Sequence, residues 1–438
     1  MRIHFIGIGG IGMSALARAY KKEGHSVSGY DLQKTSLTEQ LKKEGIEVSY
    51  EPMVENVKNA DVVVYTPAIP TDFIELTTAK ELQKPLYKRS EMLAKFVNDK
   101  YLIAVAGTHG KTSISAVTTY LLNAKLKISA FVGGIMKNFN SNFVSVPNSR
   151  YAVAEADEYD KSFLKLKPKI SVISSIDPDH SDIYPTFNDM IDAFSQFISQ
   201  TGELVIINSK YRKFVEEALK DKKVITYGSS GKSGYEVKLS SFKRFSLYNN
   251  GKSVGEFPIY FHSKIVAENT AAAVIVALNL GFKPEEIQEI LRDYKGVRRR
   301  FEIYKETEDF VLIDDYAHHP TEIEALLQTI KNSYKNYKVI SFFQPHLFSR
   351  TRDFEDEFAS VLDKYSDVVY LLPIYPAREK PIAGVSSENI CRKTGKKCRM
   401  IELSELIPEI RRLEKDEGKK VVVIIGAGSI GNEIEKYG

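Results

Sequence analysis

Two cysteines, Cys391 and Cys398, are all that this chain of 438 residues carries. They are too few for a disulfide framework and lack the partners of a structural zinc site, so a reducing compartment fits best. Charge of one sign is not in excess: 61 Lys and Arg stand against 57 Asp and Glu, a net +4. No basic run exceeds Arg298–Arg300, which leaves a nucleic-acid or membrane-surface role without electrostatic support. Nor does any apolar stretch reach the ~18 residues that a membrane span needs. Ile3–Ala17 comes nearest, but glycines at 7, 9, 10 and 12 interrupt it and a charged helix follows, so it is strand, turn and helix rather than a signal peptide. Repeats of fixed period and Pro/Gly/Ser linkers are missing as well. A soluble cytoplasmic protein is the default expectation, with neither nucleic acid nor membrane as partner.

What is present can build cores, with 43% apolar and 11% aromatic residues. Short β-branched runs alternate with amphipathic segments along nearly the whole chain, the pattern of parallel sheets covered by helices, so the fold class is α/β. Strands are expected at Ile3–Ile6, Ser26–Tyr30, Asp61–Tyr65, Leu102–Ala106, Ala152–Glu155, Lys169–Ile176, Leu204–Asn208, Val311–Asp315, Lys338–Phe343, Asp367–Leu372 and Val421–Ile425. The length suits three domains, and the rhythm of the motifs places them at 1–98, 99–296 and 297–438. The first and third are expected to be Rossmann-like, and the central one a nucleotide-binding domain with a mainly parallel sheet.

The strongest motif is Gly107-Thr108-His109-Gly110-Lys111-Thr112-Ser113, between an apolar strand and a stretch that can continue as a helix. Glycines let backbone amides turn toward a polyphosphate, the helix N-terminus adds positive dipole, Lys111 reaches the β- and γ-phosphates, and Thr112 offers a hydroxyl to Mg²⁺. The loop is a shortened variant, because Val105 stands where the usual pattern has its first glycine. Downstream, Glu155-Ala156-Asp157-Glu158 and Asp177-Pro178-Asp179-His180 each close a strand, at the edge where the loop would sit. A carboxylate and an imidazole there can ligate the nucleotide's metal. Acidic capping of helix starts competes for Asp157, Glu158 and Asp177; Glu155 and His180 are the better metal candidates.

The first turn, Gly7-Ile8-Gly9-Gly10-Ile11-Gly12, is a dinucleotide-type fingerprint with Asp31 closing the second strand. A second copy, Gly426–Gly431, has only seven residues after it, so it is expected to be a turn that packs a terminal helix. The last third carries Asp314-Asp315-Tyr316-Ala317-His318-His319-Pro320-Thr321-Glu322 and Phe343-Gln344-Pro345-His346-Leu347-Phe348-Ser349-Arg350. Five of the eight histidines lie in such strand-end motifs, which argues for a site, although Pro320, Thr321 and Glu322 also fit an ordinary helix start.

The order GIGGIGMS, AGTHGKTS, EADEYDKSFL, DPDHSDIY, GVRRRF, DDYAHHPTE, FQPHLFSRTRDF and YPAREKPI resembles the Mur ligase family of peptidoglycan synthesis, over essentially the whole chain. The resemblance implies an ATP- and Mg²⁺-dependent amide-forming ligase, with UDP-N-acetylmuramate and L-alanine as substrates and an acyl phosphate between them. It implies that Gly107, Thr108, His109, Gly110, Lys111, Thr112 and Ser113 hold ATP phosphates, and that Asn269, Arg300 and Asp315 also bind ATP. Thr112, Glu155 and His180 are implied to organise the metal. Gly9, Gly10, Ile11, Gly12, Met13 and Asp31 are implied to hold the UDP-sugar, and Lys111, His180, His318, His346 and Arg350 to serve catalysis. No Lys occurs between Ser181 and Ser209, where members adding later residues carry a carbamoylated lysine, which fits the alanine-adding class. The sequence departs from the family at Ile265 and Val266, where an HNxxN segment keeps only Asn269, and at Leu347, an Arg in many relatives. A monomer or weak dimer is expected. The alternatives are a tripeptide-recycling ligase of the same family and an NAD-dependent dehydrogenase built on the first GxGxxG.

Overall fold

The computed structural model describes residues 1–146, 148–180, 183–231, 233–240, 243–377 and 379–437, apart from the side chain of Lys396. Ser181, Asp182 and Arg378, all in motifs quoted above, lie outside the described residues. The chain divides into two compact units, Met1–Gly296 and Val297–Gly438.

The first unit holds two sheets. One has five strands, all parallel, in the order Glu47–Ser49, Ser26–Tyr30, Arg2–Ile6, Val62–Tyr65, Leu86–Lys88. The chain starts in the middle and winds outward both ways, so the turn after Arg2–Ile6 opens at the point where the winding reverses, the position where open α/β sheets bind ligands. The other sheet has ten strands, in the order Lys252–Pro258, Arg244–Asn249, Tyr235–Leu239, Val224–Gly228, Leu204–Asn208, Ile170–Ile173, Tyr101–Ala106, Tyr151–Ala156, Ile128–Met136, Ser141–Ser145. Its central strands are parallel and mostly buried, and antiparallel pairs close both edges. Tyr101–Ala106 is flanked by Ile170–Ile173 and Tyr151–Ala156, with Val105 paired to Glu155 and Ala106 to Ile173. This register sets the EADE and DPDH motifs on either side of the loop that begins at Gly107.

The two sheets of this unit are tied by a buried polar link. Arg18, on the helix Ile11–Lys22, donates to Glu44 from Nε at 2.7 Å and to the buried Asn142 Oδ1 of the second sheet. Asn142 in turn donates to Ser14 Oγ at 2.9 Å.

The second unit has six strands in the order Glu302–Glu306, Phe310–Asp315, Lys420–Ile425, Lys338–Phe343, Val368–Leu371, Cys398–Met400; all neighbours but the first pair are parallel. Asp315, Ile425 and Phe343 share one register row, so the motifs DDYAHHP, GAGSIG and FQPH leave the sheet at the same edge. All eleven expected strands form. Cys391 and Cys398 depart from the expected reduced thiols: they close a disulfide between the helix Ser387–Thr394 and the edge strand Cys398–Met400. A count of cysteines could not show that the helix end abuts the strand.

Candidate active site

The phosphate-type loop forms because its first glycine can do what no other residue could. Gly107 has φ +140°, and a Cβ there would run into Ser174 Oγ and stand 2.8 Å from Ser175 N. Ser175 Oγ bonds Thr108 Oγ1 at 2.9 Å and accepts from His109 N at 2.7 Å, so the neighbouring strand end moulds the loop. The helix Lys111–Asn123 then begins at Gly110 with no side-chain cap and no acid in its first turn, leaving amides and dipole for an anion. Asn269 packs against Gly110, at 3.0 Å from the place of a Cβ. Ser113 lies half-buried in the first turn of the helix.

Lys111 is the electrostatic centre. Its Nζ donates to Gly107 O at 2.6 Å and to both oxygens of Glu158, at 2.9 and 2.7 Å. Glu158 is 1% exposed and also faces His180 Nε2 at 3.4 Å. Burial opposes charge on all three groups, but attraction between Glu158 and the two cations, helped by Asp157 at Lys111 and Asp179 at His180, outweighs it: Lys111 and His180 are raised, and Glu158 is held below the usual carboxylate range. Glu158 is one of the residues that sequence reasoning does not single out, because an acid after a strand reads equally well as a helix cap. Its position two residues before Asp160 and three before Lys161, both at positive φ in a kinked 3₁₀ segment, turns it inward instead.

Glu155 faces the loop from the adjacent strand. Thr112 Oγ1 lies 3.2 Å from Glu155 Oε2, and Ser115 donates to Oε1 at 3.1 Å. Among the described residues no three His, Cys, Asp or Glu side chains stand together as a metal cage. A hydroxyl and one carboxylate beside a phosphate loop nevertheless match how Mg²⁺ is usually held, with phosphate oxygens and waters completing the octahedron. His180 adjoins this pair through Glu158 and Lys111.

The first glycine-rich turn offers a second open helix N-terminus: Ile11–Lys22 starts after Gly10, again with no side-chain cap and no acid in its first turn. Ile11 is exposed, whereas Met13 is buried beneath the turn. Asp31 accepts from Gly9 N at 2.7 Å and from Gln33 N at 3.0 Å, so its carboxylate fixes the turn's backbone. Arg89, unmarked in the sequence, places Nη1 3.0 Å from where a Cβ of Gly12 would be and pairs with Asp157 at 3.3 Å. The turn therefore faces a guanidinium as well as amides.

In the second unit, His318 and His346 approach with ring centroids 6.0 Å apart, and His346 stacks on Tyr375 at 5.7 Å. His319, Pro320 and Glu322 form the start of the helix Pro320–Ser333: His319 Nδ1 accepts from Thr321 N and Glu322 from the amides of both histidines. Burial pushes His318 down to about 4, Glu322 opposes this, and the charge of Arg350 adds to it. His318 Nδ1 lies 3.0 Å from Tyr316 O, so Nδ1 carries the proton and Nε2 keeps its lone pair at neutral pH. Nitrogen NMR across pH 5–8 is expected to show His318 as a single neutral Nδ1–H tautomer, while His180, held above the ordinary histidine range by Glu158 and Asp179, stays protonated to higher pH than a free imidazole.

Asp315 accepts from Phe301 N at 2.7 Å and Ala317 N at 2.8 Å, fixing the Arg298–Phe301 loop to its strand. Beside it Asp314, fully buried, is pushed up to about 7 by burial; Arg299 opposes, and Asp315 and Glu302 reinforce the rise. A carboxyl whose native pKa lies above its unfolded value of 3.8 favours the fold most when protonated. The contribution of Asp314 to stability therefore falls as pH rises from about 4 to about 7 and is constant above, while His318, lowered to about 4, works against it over much of the same range. Asp314→Asn should therefore gain in melting temperature relative to wild type as pH rises from about 4 to about 7, in melts of the two proteins recorded side by side.

Three family descriptions match in sequence order: "Mur ligase family, catalytic domain" over residues 2–101, "Mur ligase middle domain" over 105–277, and "Mur ligase, glutamate ligase domain" over 299–428. The UDP-N-acetylmuramate–L-alanine ligase of Christiangramia forsetii is 38% identical, covering 99% of this chain and 96% of its own. That of Caldanaerobacter subterraneus is 37% identical over 100% and 97%. Among solved structures, the UDP-N-acetylmuramate-alanine ligase of Thermotoga maritima superposes with TM-score 0.84 at 28% identity, over 100% of this chain and 98% of that one. A murein peptide ligase of Psychrobacter arcticus shares the fold, with TM-score 0.73 at 19% identity over 100% and 98%.

Proposed function

The chain belongs to the Mur ligase family, and on that premise we propose that it joins L-alanine to the muramoyl carboxylate of UDP-N-acetylmuramate, driven by ATP, in cytoplasmic peptidoglycan precursor synthesis. The observation that carries this reading is the loop Gly107–Gly110, running into Lys111 with its buried Glu158 partner. Full-length relatives that are ligases leave the dehydrogenase alternative without support.

The reaction proceeds in two balanced steps. A carboxylate oxygen of the sugar attacks the γ-phosphorus, and ADP departs, leaving an acyl phosphate. The amine of alanine then attacks the acyl carbon, inorganic phosphate leaves with the oxygen that made the first attack, and the nitrogen gives up a proton. Lys111 and the amides of Gly107–Ser113 hold the phosphates and neutralise charge as the phosphoryl group moves. Mg²⁺, with Thr112 and Glu155 as ligands and His180 beside them, would supply further charge neutralisation at the phosphates. The Gly9–Met13 turn, braced by Asp31 through Gly9 N, holds the UDP-sugar pyrophosphate together with Arg89. On the second unit, Arg300 and Asp315 belong to nucleotide binding, and His346 and Arg350 orient the acceptor. The neutral Nε2 of His318 is suited to take the proton that the amine releases.

Phosphate release measured with UDP-N-acetylmuramate, ATP and a panel of amino acids tests the reading. Release driven by L-alanine is the expected result. Release driven only by L-Ala-γ-D-Glu-meso-diaminopimelate would make the protein a recycling ligase, and no release with any acceptor would refute ligation.

A further inference from the structure

The second GxGxxG turn, Gly426–Gly431, is filled by the protein itself. Gln344 Oε1 accepts from Ile430 N at 2.9 Å at the start of the helix Ile430–Ile434, where a phosphate would otherwise sit. Gly431 has a different neighbour: the guanidinium of Arg299 occupies the place where its Cβ would stand. Arg299 donates from Nε to Asp314 Oδ2 at 3.2 Å and from Nη2 to Gly426 O. Its backbone is fixed equally firmly, with N donating to Glu302 at 2.8 Å and O accepting from Tyr316 N at 2.8 Å, at a φ of +58°. The Tyr316 ring stands 5.2 Å from the Arg299 guanidinium and 5.0 Å from that of Arg300. One arginine is thus half-buried and tethered at both ends, and the next shares its aromatic platform.

We propose that Arg299 is a positioning residue for nucleotide binding. Seated on Gly431 and anchored by Asp314, it holds Tyr316, and through that ring orients Arg300, with the terminal glycine-rich turn as its seat. A lysine could keep the charge opposite Asp314 but has no planar group to lie against the ring. An alanine at 431 must displace a guanidinium that its partners prevent from swinging aside. The inference rests on the assignment of Arg300 to ATP, and its test keeps the two apart.

The full-length enzyme is compared as wild type, Arg300→Ala, Arg299→Met, Arg299→Lys, Gly431→Ala and the Arg299→Met/Gly431→Ala double variant, with KM for each substrate, kcat and melting temperature. Arg299→Met and Gly431→Ala should each raise KM for ATP about tenfold and leave KM for UDP-N-acetylmuramate unchanged. Arg299→Lys should recover melting temperature more fully than KM for ATP. In the double variant Gly431→Ala should add little, because the methionine lacks the guanidinium and its anchors and can turn away from the new Cβ. If the Arg299 variants lower the melting temperature without moving KM for ATP while Arg300→Ala raises it, Arg299 is only a structural anchor and the inference fails alone. An equal Gly431→Ala effect in both backgrounds overturns the seat. An Arg300→Ala enzyme with unchanged KM for ATP overturns the assignment of Arg300 and this inference together.

Discussion

Lys111→Met is expected to lower kcat by about 10³ or more, with UDP-N-acetylmuramate binding preserved. The magnitude follows from what Lys111 does in place. It stands at the first residue of the helix, 2.6 Å from Gly107 O, so its charge belongs to the loop proposed to cradle the phosphates. Removing a preorganised charge from a transferring phosphoryl group costs the transition state far more than the ground state. Lys111→Arg should rescue little, because a planar fork does not fit the space of a point charge between Gly107 O and two carboxylate oxygens. Calorimetric titration of the variant with UDP-sugar, beside stopped-time kinetics, separates loss of chemistry from loss of fold.

Glu158→Gln is expected to act almost as strongly, by a different route. Glu158 is 1% exposed and its only described ionic partners are Lys111 and His180. Neutralising it removes the buried carboxylate that Lys111 and His180 share, leaving His180 only Asp179 at 3.7 Å and Lys111 the weaker attraction of Asp157 and Glu155, and breaking a buried pair costs about 3–5 kcal/mol. The pKa of His180 should then drop, since burial already opposes its charge and Glu158 is the first group that offsets it. The expected results are a lower melting temperature, a weakened kcat, and a His180 NMR titration displaced to lower pH. A His180 titration that does not move would show that Glu158 does not set the charge of this cluster.

Much of the fold was legible because buried parallel strands announce themselves as β-branched runs. Leu204–Asn208 and Lys338–Phe343 form over the residues expected. The antiparallel edge was not read: Tyr235–Leu239, Arg244–Asn249 and Lys252–Pro258 carry charges on an exposed face and lack an apolar run. Asn250-Gly251, at φ +46° and +79°, was the available hairpin signal between the last two. At the site, the motifs brought together Lys111, Thr112 and Glu155, and His318 with His346, since strand ends in one sheet share an edge. Glu158, Arg89 and Arg299 were out of reach. Their roles depend on a kinked turn, on a helix start packed against another segment, and on a glycine 132 residues along the chain from its arginine, 431 − 299. No spacing rule links such positions.

The central claim is that the γ-phosphoryl group of ATP passes to the sugar's carboxylate before alanine attacks. UDP-N-acetylmuramate labelled with ¹⁸O in both carboxylate oxygens, turned over with ATP and L-alanine, tests it by mass spectrometry of the inorganic phosphate. One ¹⁸O in each phosphate released is the predicted result; phosphate free of label, formed at the same rate as the amide, would contradict it.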